Sequence, residues 1–227
     1  MIPLWIKEQM NSEAATPKRD DDATIESLDD MDKSKHAILL AAARAFMEQG
    51  FGGTSIDSVA EILNCTKGRI YYHFKSKSDL FIEVHRFGIS GTLAALRPIA
   101  ASGDRPRRRL ERMCHAHIDA ITNNLPLSKV AIQGVKLHLE LSTTPAQRQK
   151  LRSVIAIHRE IETMFFDIVN EGIQEGDFAP GSPRTIVRAL LGSMNWMTIW
   201  YNERPGGSDS EINDEIVHFI MRGVTGS

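Results

Sequence analysis

Residues 54–77 read TSIDSVAEILNCTKGRIYYHFKSK, and two short helices with a tight break between them can be drawn on that stretch. Thr54 stands three residues before Asp57, the spacing of a capping box that starts a helix. Ile56, Val59, Ala60 and Leu63 then recur at helical spacing and define one apolar face. Asn64 and Cys65 interrupt the pattern, and Thr66 can cap a second helix from Lys67 to about Phe74. That second helix carries Lys67, Arg69, Tyr71, Tyr72 and His73, with Lys75 and Lys77 just beyond and no acid from Lys67 to Lys77. Ile70 and Phe74, four apart, anchor one face inward. The opposite face then offers cations, phenols and an imidazole to solvent.

Such a face suits a DNA major groove, because cations neutralise phosphates and hydroxyl groups bond phosphate oxygens. Gly68 lies in the first turn, where a side chain would hold the helix away from the bases. A helix loses roughly 1 kcal/mol by carrying glycine, so its position suggests close approach. The plainer alternative is a basic surface helix in an ordinary bundle.

Residues 37–80 resemble the DNA-binding domain of the tetracycline-repressor (TetR) family of transcriptional regulators. The matching residues run in order and without gaps: Ile38, Ala41, Ala42, Phe46, Gly50, Phe51, Thr54, Ser55, Ile56, Val59, Ala60, Thr66, Lys67, Gly68, Ile70, Tyr71, His73, Phe74, Ser76, Lys77 and Leu80. The resemblance implies that Thr54, Tyr71, His73 and Lys77 hold phosphates, with Ser55 in the same DNA-facing set. It places Lys67, Gly68, Arg69 and Tyr72 against bases or the adjacent backbone. Cys65 and Arg69 depart from the family's commoner choices, a small apolar and a small polar residue, and the departure at Arg69 implies an altered base preference.

The rest of the chain reads as all-α. The chain has 227 residues, 42% of them hydrophobic, enough for a real core, and no segment alternates like a run of strands. Two cysteines, Cys65 and Cys114, make no disulfide framework and suit a reducing cytoplasm. No apolar run approaches the ~18 residues of a membrane span, and Pro3 to Ile6 is too short for a signal peptide. Residues 1–32 hold three cations against nine acids and read as a disordered acidic arm, too acidic for a minor-groove role by charge alone. Met10 and Met31 are alternative starts. Residues 33–84 carry seven cations against five acids and form the helix-turn-helix domain. Residues 85–227 form the effector-binding and dimerisation domain.

The first helix is expected from about Ser34 to Gln49, with Ile38, Ala41, Ala42, Ala45 and Phe46 buried. Gly50 ends it as a left-handed cap, and Phe51 folds back on the core. Ser76 and Asp79 start a longer helix that runs to about Leu96, with Pro98 beyond it. Further helices are expected over 107–123, 125–141, 146–175, 183–201 and 210–222. The last two are apolar on more than one face, the mark of a central helix or one that pairs with another chain. The family resemblance implies dimerisation through these two, and the expected contact residues are Leu190, Leu191, Ile216, Phe219 and Ile220.

The stretches LLGSMNWMTIWYNERPGG (190–207) and GIQEGDF (172–178) are similar to a branch of the family that responds to acyl-CoA thioesters or related lipid acids. Met164, Phe165, Met194, Trp196, Met197 and Trp200 are candidate linings of an adaptable apolar pocket, although such residues are equally often plain core. Arg107, Arg108 and Arg109 could meet an anionic head group. Glu111, Cys114 and His115 share a helix face, but a metal would need further ligands, for which His138 and His158 are the obvious reservoir. No metal, cofactor or catalytic constellation is predicted. The reading is a homodimeric regulator, a repressor, whose partners are double-stranded operator DNA, a second copy and a small apolar effector, with no membrane. The competing class is an α-helical enzyme or small-molecule-binding protein that only carries a helix-turn-helix-like segment.

Overall fold

The computed structural model describes residues 28–137, 144–201 and 209–226, and these are built from nine helices. α1 spans Leu28–Gly53, α2 Ile56–Ile62, α3 Lys67–His73 and α4 Lys77–Ala100. α5 spans Pro106–Asn123, α6 Leu125–Leu137, α7 Pro145–Glu175, α8 Pro183–Trp200 and α9 Asp209–Thr225. From Ser34 to the last described residue the chain forms one compact unit. α1 begins at Leu28, within the stretch assigned to the arm; residues 1–27 lie outside the described ones, as does the end of the helix expected over 125–141.

The first core belongs to the helix-turn-helix. Ile38, Ala42, Ala45 and Phe46 of α1 are buried against Ile56, Val59, Ala60, Ile70 and Phe74. Gly50 takes φ 68° and ψ 173°, a conformation a Cβ would resist, and breaks the helical path inside α1. Phe51 then turns inward onto Phe46 and Phe81, with ring centroids 6.0 and 5.2 Å away. The start of α2 differs from expectation. Ser55, not Thr54, is the N-cap: its hydroxyl accepts from Ser58 N at 2.9 Å, and Ser55 N donates to Ser58 Oγ at 3.0 Å. Both residue pairs fit the capping spacing, and Thr54 is withdrawn because its hydroxyl is used inside. It lies 2.8 Å from Gly50 O and 3.0 Å from Ala45 O, and the side chain is buried. After Leu63 the chain turns through Asn64 at φ 49°, a left-handed conformation that asparagine tolerates. Thr66 is the N-cap of α3 by position, without a side-chain capping bond.

α4 starts as the spacing predicts, with Ser76 Oγ accepting from Asp79 N. It passes through Pro98 and ends at Ala100, beyond the expected stop. Pro98 gives up its own bond to the preceding turn, yet two more helical residues follow it, and Ala101 N closes the end on Arg97 O at 3.0 Å. α4 serves two cores. Leu80, Phe81 and Val84 pack in the helix-turn-helix core, whereas Ile82, Ile89, Leu93 and Leu96 pack with α5, α7, α8 and α9 in the larger one. Leu127 and Val130 of α6 also enter the first core, so the two cores are not divided at residue 84. The long α7 is closed at both ends. Thr144 and Gln147 form a reciprocal capping box, and Gly176 ends the helix at φ 79°. No helix among the described residues is long and apolar enough to cross a membrane.

Candidate nucleic-acid interface

α3 is held by two side chains and exposed by most of the others. Ile70 and Phe74 are 0% and 2% exposed, which fixes the rotation of a helix only seven residues long. Lys67, Gly68, Arg69, Tyr71 and Tyr72 face solvent and His73 is half-buried. Tyr72, at 70% exposure, projects furthest among the ring residues. A Cβ on Gly68 would meet nothing closer than Thr66 Oγ1 at 3.7 Å, and its φ is not positive. Nothing inside the protein therefore requires glycine at that position.

Besides Ser55, which caps α2, five of the predicted site residues have partners within the protein: Thr54, Lys67, Arg69, His73 and Lys77. Lys67 Nζ lies 3.4 Å from Asp57 Oδ1, both side chains about two-thirds exposed. A pair so exposed is worth about 0–1 kcal/mol and yields readily to a phosphate. Arg69 Nε donates to Ser34 Oγ at 3.1 Å, and the same oxygen lies 3.2 Å from His73 Nε2. Lys77 is held more firmly: Nζ donates to Phe51 O at 2.7 Å and Thr54 O at 2.8 Å, and sits 4.5 Å above the Phe51 ring. With Thr54 buried and Lys77 clamped on carbonyls, both stabilise the turn between α1 and α2 in the DNA-free protein. Ser55 stays exposed at the start of α2. Ser34 was missed as a site residue, because a serine at an expected helix start carries no signal that it reaches a residue 35 positions on.

The residues assigned to an effector pocket separate. Phe165, Met194 and Met197 are fully buried in the larger core and Met164 is half-buried. Trp196 and Trp200 are set apart from these: at 63% and 45% exposure they lie on the outer face of α8, with Ile199 between them. Among the buried three sits a polar side chain. His117 of α5 lies with its Nε2 3.0 Å from Asn195 Oδ1 and its ring edge-on to Phe165. Burial holds its imidazole below the ordinary value of 6.5, and the Asn195 bond opposes that only in part.

The expected dimer residues also divide. Leu190 and Ile220 are core residues of the single chain, Leu191 and Ile216 are half-buried, and Phe219 is 76% exposed. Both α8 and α9 are apolar on two faces, and pattern alone does not say which face turns inward. Outward, Trp196, Ile199 and Trp200 on α8 and Phe219 on α9 remain.

The arginine-rich start of α5 is largely paired. Arg109 meets Glu171 at 2.5 Å, while Arg108 and Arg112 approach Asp104 at 3.8 and 2.6 Å. Arg107 instead lines an open groove of about 570 Å³ with Glu111, His115, Asp214, His218 and Arg222. Cys114 is buried and its thiol is pushed up to about 12, by desolvation first and Glu111 second. No group of three or more ligating side chains converges among the described residues. His158 lies 3.1 Å from His85, and His138 is outside the described residues. Neither cysteine is in a disulfide.

Comparison with known proteins agrees with this geometry. Residues 38–84 match the family described as bacterial regulatory proteins, tetR family, and residues 103–224 match the tetracyclin repressor-like C-terminal domain. The chain is 25% identical over 191 residues to the HTH-type transcriptional repressor KstR2 of Mycobacterium tuberculosis, covering 83% of this chain and 91% of that protein. It superposes on the TetR family regulator PfmR of Thermus thermophilus with TM-score 0.71 at 29% identity, over 82% of this chain and 97% of the other. AibR, solved in complex with isovaleryl coenzyme A and operator DNA, shares the fold with TM-score 0.68 at 20% identity, over 85% and 98% of the two chains.

Proposed function

The chain belongs to the tetracycline-repressor family of bacterial transcriptional regulators, and from that premise we propose that it is a repressor which binds an approximately palindromic operator as a homodimer and leaves it when a bulky apolar acid binds. The observation that carries the reading is the outer face of α3. It presents Lys67, Arg69, Tyr71 and Tyr72 without an acid, and a glycine that nothing inside the protein requires. Cations and phenols there meet phosphates, while Arg69 and the backbone at Gly68 approach base edges.

The apolar patch of Trp196, Ile199, Trp200 and Phe219 supports pairing of α8 and α9 with a second copy. A patch of this kind, left bare on a monomer, marks an interaction site. Pairing by a two-fold axis gives two recognition helices, and the operator's halves mirror that symmetry.

The effector enters the larger core, where Phe165, Met194 and Met197 offer soft, adaptable walls. Its class, an acyl-CoA or related lipid acid, rests on the sequence likeness at 172–178 and 190–207; AibR, of the same fold, was solved with such a thioester and operator DNA. The seam between α7 and α4 supplies a path to α3. Gln147 Nε2 donates to Ser76 Oγ at 3.3 Å, and Lys150 lies 3.4 Å from Asp79 and 3.8 Å from Glu83. Ser76 begins α4 directly after α3, so a shift of α7 is felt at the recognition helix. Release requires that the ligand prefer the DNA-free form, and tenfold release needs about 1.4 kcal/mol of differential affinity.

The test titrates acyl-CoAs of graded chain length into a preformed protein–operator complex. Release that strengthens with chain length supports the effector class. If none of them binds or releases DNA while a small polar metabolite does, the effector class is wrong and the DNA-binding assignment stands.

A further inference from the structure

Ser34 lies on α1 and touches no part of the surface a duplex would reach directly, being 4% exposed. Its hydroxyl nevertheless joins two residues of α3. Arg69 Nε donates to it at 3.1 Å, and it lies 3.2 Å from His73 Nε2. A serine oxygen has one hydrogen and two acceptor positions. The oxygen that accepts from Arg69 keeps its own hydrogen for His73 Nε2 whenever that nitrogen is unprotonated. Arg69 and His73 are four apart and share one side of the helix, so a single group on α1 organises both.

We propose that Ser34 is a specificity-determining positioning residue: by holding Nε of Arg69 it leaves the terminal nitrogen pair, Nη1 and Nη2, to read a guanine in each half-site. This rests on α3 being the recognition helix. A guanidinium is a rigid planar fork with donors along two edges. When Nε is engaged, the edge that includes it has lost a donor, and the end pair remains for guanine O6 and N7. The anchor is also neutral. It directs Arg69 without cancelling its charge, unlike Asp57 beside Lys67. A long side chain left unanchored samples many rotamers and must be ordered on binding, which weakens a directional contact. Removal of Ser34 thus acts on base preference rather than on phosphate binding.

The experiment selects duplexes from a random library with the full chain, then measures competition by equilibrium binding. The proteins are wild type, Arg69→Ala, Ser34→Ala, Ser34→Cys and Ser34→Thr. The wild-type selection yields a guanine preference at one position per half-site, of about 5- to 150-fold. Arg69→Ala removes it. Ser34→Ala lowers it by at least about threefold at the same position, because ordering is lost rather than the contact itself. Ser34→Cys, which keeps the shape but bonds poorly, behaves like Ser34→Ala and covers the case in which alanine loosens the fold. Ser34→Thr retains the preference, and the salt dependence stays unchanged in all Ser34 variants. The proposal is overturned if both non-bonding variants keep the wild-type preference while Arg69→Ala loses it. It is also overturned if they weaken every sequence alike, which is a merely structural role. A guanine preference that survives Arg69→Ala overturns it at the base contact, and a wild-type protein that selects no sequence overturns the operator reading together with it.

Discussion

Lys77 begins α4 with its ammonium turned back on Phe51 O and Thr54 O. Charge-assisted bonds to partly buried carbonyls are stronger than a surface ion pair, so Lys77→Ala is expected to cost about 1–3 kcal/mol of stability. Urea unfolding checks this; an unchanged midpoint and slope would show that the clamp is not holding the turn. A shallower salt dependence of DNA binding in the same variant would show that the ammonium also meets a phosphate. The exposure of Lys67, Arg69, Tyr71 and Tyr72 was legible in the sequence, because Ile70 and Phe74 set the rotation of the helix. The inward turn of Thr54 and Lys77 was not, since it depends on carbonyls freed where Gly50 breaks the helical path, a tertiary detail no spacing encodes. His117 gives a second test at this scale. Its folded-state pKa lies below the ordinary 6.5 because burial disfavours the imidazolium. Above about pH 6.5 both folded and unfolded chains are neutral there and the residue adds no slope. Below it the unfolded chain takes up a proton that the folded chain refuses, so stability falls as pH falls. His117→Gln is expected to flatten that part of the pH–stability curve measured by urea unfolding, and an identical curve would remove His117 as its source.

At the scale of the elements, α4 and α7 carry the structural continuity. α7 ends at Gly176, and the chain returns so that Phe178 lies on Gly172, with Phe178 N donating to Gly172 O at 3.1 Å. Ala179 N then donates to Val224 O at 2.9 Å and ties the return to α9. A Cβ on Gly172 would run into the Phe178 ring, so Gly172→Ala is expected to destabilise by about 1–3 kcal/mol through overpacking. Phe178→Leu in the same background relieves part of that loss, since the two changes share one contact. Additive losses in the double variant, measured by thermal or urea unfolding, would place the strain elsewhere. Helix positions were largely legible, because apolar periodicity and capping residues mark them. The destination of each apolar face was not. Leu127 and Val130 give α6 a share in the helix-turn-helix core, and a sequence boundary at residue 84 cut through a helix that serves both cores. Pro98 misled because proline usually ends a helix just before it, whereas here α4 continues through it to Ala100.

For the whole molecule, the proposed pairing of two copies rests on the outer faces of α8 and α9. Leu190 and Ile220 are inside the single chain, so a charge there unfolds the protein before it tests any dimer. Phe219, with Trp196, Ile199 and Trp200, lies outside, and Phe219→Glu is expected to separate the proposed dimer while circular dichroism stays native. The sequence marked both helices as doubly apolar without saying which side faces the chain's own core, because the answer depends on where α5 and α7 pack. Each monomer has one α3, and useful operator affinity needs both half-sites. The measurement closest to this claim is quantitative footprinting of wild type and Phe219→Glu on the DNA flanking the gene. The expected result is a protected, approximately two-fold symmetric site with half-sites spaced about 34–36 Å centre to centre or a multiple of it, lost in the variant. The account is contradicted if wild type protects no site, or if Phe219→Glu sediments as a monomer and protects the same site at full affinity.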